Sequence, residues 1–291
     1  EGTSAGELKF LYNFPLIICF REFSFIPMNS ETVYPINAAL DSPSLAKVRQ
    51  IFSRRINVLC IEDQEDICEL FSESIFPSSL LNIKQVHTPE MAKTALSGNT
   101  TFHSWILDLT LQKHNDGMDL LKLKPNFPFC VVVSGAQSMD DATAAIKAGV
   151  YSAHDKKSIF TTNPHPFIAE VCALSAASFL LKGRRPARFD MYQLLLRGFV
   201  QTPEEWSANY CLNERTLRMI CEDDSNLSPK QFLYLYHVLN FILVSDCLVR
   251  SMDGYEKTRG TLLNRLEFYN QCAEYVIRNH ETVYGPHYLK M

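Results

Sequence analysis

Between positions 62 and 156 the chain spaces out five residues able to do chemistry together. They are the adjacent acids Glu62 and Asp63, then Asp108, Ser134 and Lys156. Three carboxylates, a hydroxyl and an ammonium suit a divalent cation beside a phosphoryl group. Each follows or closes a short apolar run that reads as a buried strand: Val58–Ile61, Trp105–Leu107, Cys130–Val133 and Tyr151–Ala153. In an open parallel α/β sheet the carboxyl ends of the strands form one crevice, and ligands bind there. Residues far apart in sequence would therefore meet at one point.

The elements that must position them alternate in period from residue 56. Strands are predicted at Ile56–Ile61, Leu81–Val86, up to Asp108, Phe129–Val133 and Tyr151–Asp155. Helices are predicted at Gln64–Phe76, from Thr88 as N-cap with Pro89 at the first position to Leu96, after Gly117 to Leu123, at Asp140–Ala148 closed by Gly149, and at Pro164–Leu181. This alternation implies a doubly wound, five-stranded parallel sheet with helices on both faces. Gly183–Arg188 is basic and interrupted by proline, and 183–190 reads as a linker. Beyond it, residues 191–291 are almost free of strand signal. Helices are expected at Asp190–Phe199, Pro203–Asn209, Asn213–Cys221, Pro229–Val249 and Leu262–Asn279. The fold class is thus α/β plus all-α: 1–55 as an N-terminal extension, 56–182 as the α/β domain, then the helical domain.

Composition narrows the class. The chain has 291 residues, a formal net charge of −4 and 46% apolar residues, enough for real cores. Nine cysteines without a C-x-x-C pair read as buried thiols in a reducing cytosol rather than a disulfide framework. No run reaches the roughly 18 apolar residues of a membrane span. Residues 10–20 are apolar but interrupted by Pro15. Two readings of the start stand side by side: an artificial leader ahead of Met28, or an N-terminal arm that packs on a domain or a second subunit.

Ile61-Glu62-Asp63, Leu107-Asp108-Leu109, Val133-Ser134-Gly135, Ala148-Gly149 and Lys156, in this order and on these elements, resemble the receiver domain of two-component response regulators over residues 56–182. The resemblance implies a flavodoxin-like fold and a phosphoacceptor rather than a conventional enzyme. Asp108 would take a phosphoryl group from a histidine kinase or phosphotransfer protein. Mg²⁺ would be held by Asp63 and Asp108, by Glu62 through a water, and by the backbone carbonyl of Thr110. Lys156 would pair with Asp108 and then with the phosphoryl oxygens, and Ser134 would donate its hydroxyl to them. The chain departs from the family at Gln112, where proline is usual, and at Ala153, where the family carries a switch aromatic. It also departs at Lys157, where proline follows the lysine, and at Asp116-Gly117, displaced by about one residue.

Residues 204–221 form a helix-turn-helix pattern. Trp206, Leu212, Leu217 and Ile220 are its inner face, Ala208 is the point of close approach, and Asn213 caps the second helix. With the long apolar helix after Ser228-Pro229, residues 202–245 resemble the first half of an AraC-type DNA-binding domain. Residues 262–288 resemble a degenerate second unit. The resemblance implies a transcription regulator that contacts DNA through Arg215, Thr216, Arg218 and Met219, with Lys230 or Arg188 on phosphate. The charge opposes this, with 13 Lys and Arg against 13 Asp and Glu from residue 183 onward, and Glu222-Asp223-Asp224 beside the recognition helix. The leading expectation is a cytoplasmic, phosphorylation-responsive transcription regulator that forms a homodimer. The alternatives are an adaptor whose helical half binds protein, and a regulator that uses the receiver only to dimerise.

Overall fold

The β-branched and aromatic runs form a five-stranded sheet in the computed structural model, which describes residues 42–111, 116–124, 127–135, 139–161, 164–248 and 264–289. The strands are β1 (Ile56–Ile61), β2 (Leu81–Val86), β3 (Ser104–Leu107), β4 (Cys130–Ser134) and β5 (Ser152–Asp155). All pairings are parallel and the order is β2-β1-β3-β4-β5. This is the flavodoxin-like order, whose switch point lies between β1 and β3. The inner strands are covered on both faces, which explains the unbroken apolar runs of β3 and β4. The edges are polar instead: β2 exposes Asn82 and Lys84, as edge strands that must not pair further usually do.

The helices of this half are α1 (Pro43–Phe52), α2 (Glu65–Glu69, continuing as a π-helical turn Leu70–Ile75), α3 (Pro89–Ser97), α4 (Asp116–Leu123), α5 (Met139–Lys147), α6 (Lys156–Thr161) and α7 (His165–Leu180). Thr88 caps α3 through Oγ1, which accepts from Met91 N at 3.1 Å. Neither α1 nor α6 is among the expected helices. Ser42 caps α1, with Pro43 at its first position and Leu45, Val48 and Phe52 buried on one face. Asp155 Oδ2 accepts from Ser158 N at 2.9 Å at the start of α6.

The helical half contains α8 (Phe189–Arg197), α9 (Pro203–Asn209), α10 (Glu214–Ser225), α11 (Pro229–Leu248) and α12 (Leu266–Asn279), which runs on as a π-helical segment, His280–Leu289. The described residues belong to one compact unit, Ile36–Met291. Helix α7 lies between the sheet and α11, and is therefore apolar almost all round: 12 of its 16 residues are buried. Helix α11 is covered by α7, α12 and α1. Arg49 of α1 pairs with Asp246 of α11 at 3.0 Å, and Asp246 also accepts from Ser78 Oγ at 2.8 Å. The sheet and the helices on both sides of residues 183–190 thus share a single hydrophobic core. The apolar stretch 10–20, the loop 112–115 and residues 262–263 lie outside the described residues. No helix among the described residues is long and apolar enough to cross a membrane.

Candidate functional site

The five residues do converge. Glu62 and Asp63 follow β1, Asp108 follows β3, Ser134 ends β4, and Lys156 follows β5 as the first residue of α6. Glu62, Asp108, Ser134 and Lys156 are all buried. The Lys156 ammonium lies 2.7 Å from Asp108 Oδ2 and 2.7 Å from Glu62 Oε2. Asp108 Oδ1 accepts from the backbone N–H of Thr110 at 2.9 Å. The resemblance implies a bond from Lys156 to Asp108; the structure adds Glu62 as an equal partner. The long lysine stem reaches both carboxylates from the far side of the switch point, a connection that no local spacing encodes.

Burial governs the electrostatics. Desolvation raises the Asp108 carboxyl above its usual range despite the donors from Lys156 and Thr110. Glu62 is pushed up to about 7, because burial outweighs its bond to Lys156 and the Asp108 charge adds to the rise. Burial alone would lower Lys156, but its hydrogen bonds to Asp108 and Glu62 and their charges raise it overall. Among the described residues the pocket is short of positive charge: three carboxylates face one ammonium.

The donor set fits a divalent cation. Ligand atoms from Glu62, Asp63 and Asp108 lie within 4.8 Å of one another. Asp63 Oδ1 is buried with no hydrogen-bond partner, a costly arrangement that a hard oxygen-seeking ion would relieve. Backbone packing holds the pocket closed from below. A Cβ on Gly117 would stand 2.3 Å from Asp108 O and 2.6 Å from Leu109 Cα, so the start of α4 reaches the acceptor loop only because residue 117 is glycine. Gly117 N donates to Leu109 O at 3.2 Å. Thr110 itself is exposed.

Around β5 a set of side-chain contacts ties the strand to α7. Ala153 is partly buried in the core. His154 Nε2 lies 3.4 Å from Glu170 Oε1 of α7 and 3.1 Å from Ser152 Oγ, and its ring meets Phe167 edge-on at 5.4 Å. Ser152 Oγ also donates to Glu170. These contacts tie the strand that precedes Lys156 to α7. Alternation along β5 places residues 152 and 154 on one face, but nothing in the sequence names Glu170 as their partner. Lys157 is exposed.

The second candidate site is formed by α9 and α10. Asn213 Oδ1 accepts from Thr216 N at 2.8 Å and caps α10. Trp206 and Leu217 are buried, and Leu212 and Ile220 pack against the core from a partly buried position. Ala208 is not the point of close approach. It is exposed, and Ser207 is buried instead, where its carbonyl accepts from Leu212 N at 3.0 Å as the chain turns. Arg215, Arg218 and Met219 are exposed on α10, with Thr216 partly buried. Glu214, Glu222 and Asp223 are exposed on the same helix. Lys230 lies over the rings of Tyr234 and Tyr275, at 5.4 and 5.5 Å from their centroids.

A second helix-turn-helix unit over 262–288 is not formed among the described residues. Helix α12 passes directly into the π-helical segment, because His280 keeps a right-handed helical backbone and Tyr284 and Tyr288 are drawn into the core. Tyr284 Oη donates to Gln231 O at 3.1 Å, and Tyr288 Oη lies 2.7 Å from Ser225 O and 2.9 Å from Leu180 O.

The fold and pocket together define a flavodoxin-like α/β unit with a carboxylate–lysine cluster at its switch point. No family model matches the sequence, and no curated protein matches it. The structural neighbours are CheY-like response regulator receiver domains. One from Methanospirillum hungatei is 18% identical, covering 42% of this chain and 94% of its own, with a TM-score of 0.36. The signal receiver domain of a putative Luxo repressor protein from Vibrio parahaemolyticus is 20% identical, covering 43% and 92%, with a TM-score of 0.37. A response regulator from Burkholderia pseudomallei, solved with a phosphorylated aspartic acid, a calcium ion and citrate, is 18% identical, covering 68% and 98%, with a TM-score of 0.31. These are likenesses of fold; the chemistry of the pocket rests on its own residues.

Proposed function

We propose that this chain is a phosphorylation-responsive regulator that accepts a phosphoryl group on Asp108 from the phosphohistidine of a histidine kinase or phosphotransfer protein. The observation that carries the reading is the Lys156 ammonium seated between Asp108 and Glu62, with the partnerless oxygen of Asp63 beside them. An Asp108 carboxylate oxygen attacks phosphorus, the P–N bond breaks, and the donor imidazole departs with the bonding electrons. Lys156 then follows the charge from the carboxylate to the phosphoryl oxygens, and the Ser134 hydroxyl donates to them. Mg²⁺ would be held by Asp63, Asp108 and the Thr110 carbonyl, with Glu62 behind a water, and it supplies charge neutralisation to the transferring group. Incubation with acetyl phosphate and Mg²⁺ should add one phosphoryl group by intact mass, and Asp108→Asn should prevent it. A chain that takes no label and binds no beryllofluoride at any Mg²⁺ concentration is not a phosphoacceptor.

The output reading is transcription regulation through DNA contacts from α10. It is favoured by the exposure of Arg215 and Arg218 on a capped helix that follows a short turn. Selection from random duplex DNA should yield a preferred sequence. Arg215→Ala and Arg218→Ala should relax that preference, each by roughly tenfold or more at its own base pair. A selection that returns no consensus leaves the adaptor reading, in which the helical half binds protein.

A further inference from the structure

The two ends of the sheet carry opposite charge. The C-terminal ends of the strands hold the acidic pocket. The opposite end is built from residues 53–55, 76–80, 98–103, 127–129, 148–151 and 181–188, and these contain no Asp or Glu. They do contain Arg54, Arg55, Lys182, Arg184, Arg185 and Arg188.

Backbone contacts bring these cations to one surface. Arg54 N donates to Ser79 O at 2.9 Å just before β1, and Asn57 Nδ2 donates to Thr101 O at 3.0 Å. A Cβ on Gly183 would stand 2.6 Å from Thr101 Cγ2 and 3.1 Å from Phe102 O, so residues 182–185 press on the start of β3. Phe189 then meets the Phe129 ring edge-on at 5.5 Å, beside the start of β4. The arginine-bearing segment therefore crosses the N-terminal edge from β3 to β4, next to Arg54.

Arg54, Arg184, Arg185 and Arg188 are exposed, and none of them is in an ion pair among the described residues. Asp190, two residues beyond Arg188, and Glu222 and Asp223, near the end of α10, are exposed acids of the helical half, and none of them pairs with these arginines among the described residues. Arg54 and Lys182 also sit at φ of 53° and 55°, left-handed positions where glycine or asparagine is the easy choice.

We propose that this end of the sheet is a binding surface for the phosphate backbone of nucleic acid. Arginine forks pair with phosphate bidentately, and two segments, 54–55 before β1 and 182–188 after α7, set them along the edge from β1 to β4, as an extended polyphosphate requires. A bilayer is the poorer fit, because Phe76, Phe102, Phe127 and Phe129 of these loops are all buried and offer nothing to insert. A protein interface is also the poorer fit. The exposed large apolar residues nearest this end, Leu123 and Ile146, lie on α4 and α5 and not among the arginines. The proposal is independent of phosphoryl acceptance at Asp108 and of the role given to α10.

The test is fluorescence anisotropy of the full chain with a labelled, mixed-sequence DNA duplex over a salt series. The expected result is binding at about 50 mM salt that weakens steeply as salt rises. Paired charge reversal, Arg184→Glu with Arg185→Glu, should weaken binding at least about tenfold and lower the log–log salt slope by about two, at roughly 0.9 per phosphate contact. Arg215→Ala with Arg218→Ala should weaken this mixed-sequence binding less than Arg184→Glu with Arg185→Glu does. Arg54→Glu with Arg188→Glu provides a second exposed pair if the first lowers the unfolding midpoint. No binding at low salt, binding indifferent to either reversal, binding lost through α10 alone, or a preference for phosphatidylserine vesicles over the duplex would each overturn the proposal.

Discussion

Among the described residues Lys156 is the one cation inside a pocket of three carboxylates, so its removal should be felt before any phosphoryl group arrives. Lys156→Ala leaves Glu62 and Asp108 buried against each other. The expected cost at neutral pH without divalent ions is about 2 kcal/mol or more. Mg²⁺ should restore more stability to this variant than to the parent, because it binds the folded state where the ammonium is missing. Urea titrations with and without Mg²⁺ measure both. Gly117 is as constrained for a different reason. Gly117→Ala forces a Cβ to within 2.3 Å of the Asp108 carbonyl oxygen. It should destabilise the chain by on the order of 2 kcal/mol and slow phosphoryl acceptance together. An alanine variant that matches the parent in both would contradict the close approach. Asp108, Ser134 and Lys156 were legible in the sequence because each marks the end of an apolar run. The Glu62–Lys156 bond and the Ser152–His154–Glu170 cluster were not, since both join elements that only the tertiary fold brings together.

At the scale of elements, α7 and α11 hold the molecule together. Leu174 and Leu239 are fully buried on them, and truncation of either to alanine should cost 2–5 kcal/mol, roughly the range for buried leucines. The five strands and most helices were readable because their periods and caps agree. The α1 signal was present in Ser42-Pro43 and in the spacing of Leu45, Val48 and Phe52. The π-helical turn Leu70–Ile75 is different. Its i to i+5 bonding has no propensity signature, and it is visible only once Phe71 and Ile75 are seen to be buried. The second helix-turn-helix unit failed for a packing reason: the tyrosines that suggested it at 284 and 288 hold a continuous helical segment against the core.

The unit Ile36–Met291 should unfold as one. Because the sheet and the helical half share α7, circular dichroism of the helices and fluorescence of Trp105 and Trp206 should report coincident transitions. Two separated transitions would mean that the shared core does not couple them. Acid should weaken that core through two imidazoles. His103 and His237 are buried, and burial lowers each to about 4. Asn57 N donates to His103 Nδ1 at 2.9 Å, and His237 Nε2 donates to Val200 O. The unfolded chain gains protons below about pH 6.5 while the folded chain does not. Stability should therefore fall from pH 6.5 towards 4, by up to about 3 kcal/mol per imidazole. Glu62 acts in the opposite sense, since its raised carboxyl binds a proton in the folded state between pH 7 and its ordinary value of 4.5. Glu62→Gln should therefore steepen the acid loss. A variant whose stability is flat from pH 6.5 to 4.5 would show that the imidazoles are not held neutral.

The burial of α7 on both sides also bears on how the chain is made. A ribosome finishes the five strands and α7 well before it reaches α11, which covers the outer side of that helix. At bacterial or eukaryotic elongation rates, on the order of 5–20 residues per second, the intervening stretch leaves a broad apolar helix face open to solvent for several seconds in every round of translation. A nascent chain stalled after Leu181 should be a ready client for holding chaperones. A gene fragment ending there should yield insoluble protein, where one extended through Leu289 yields soluble protein.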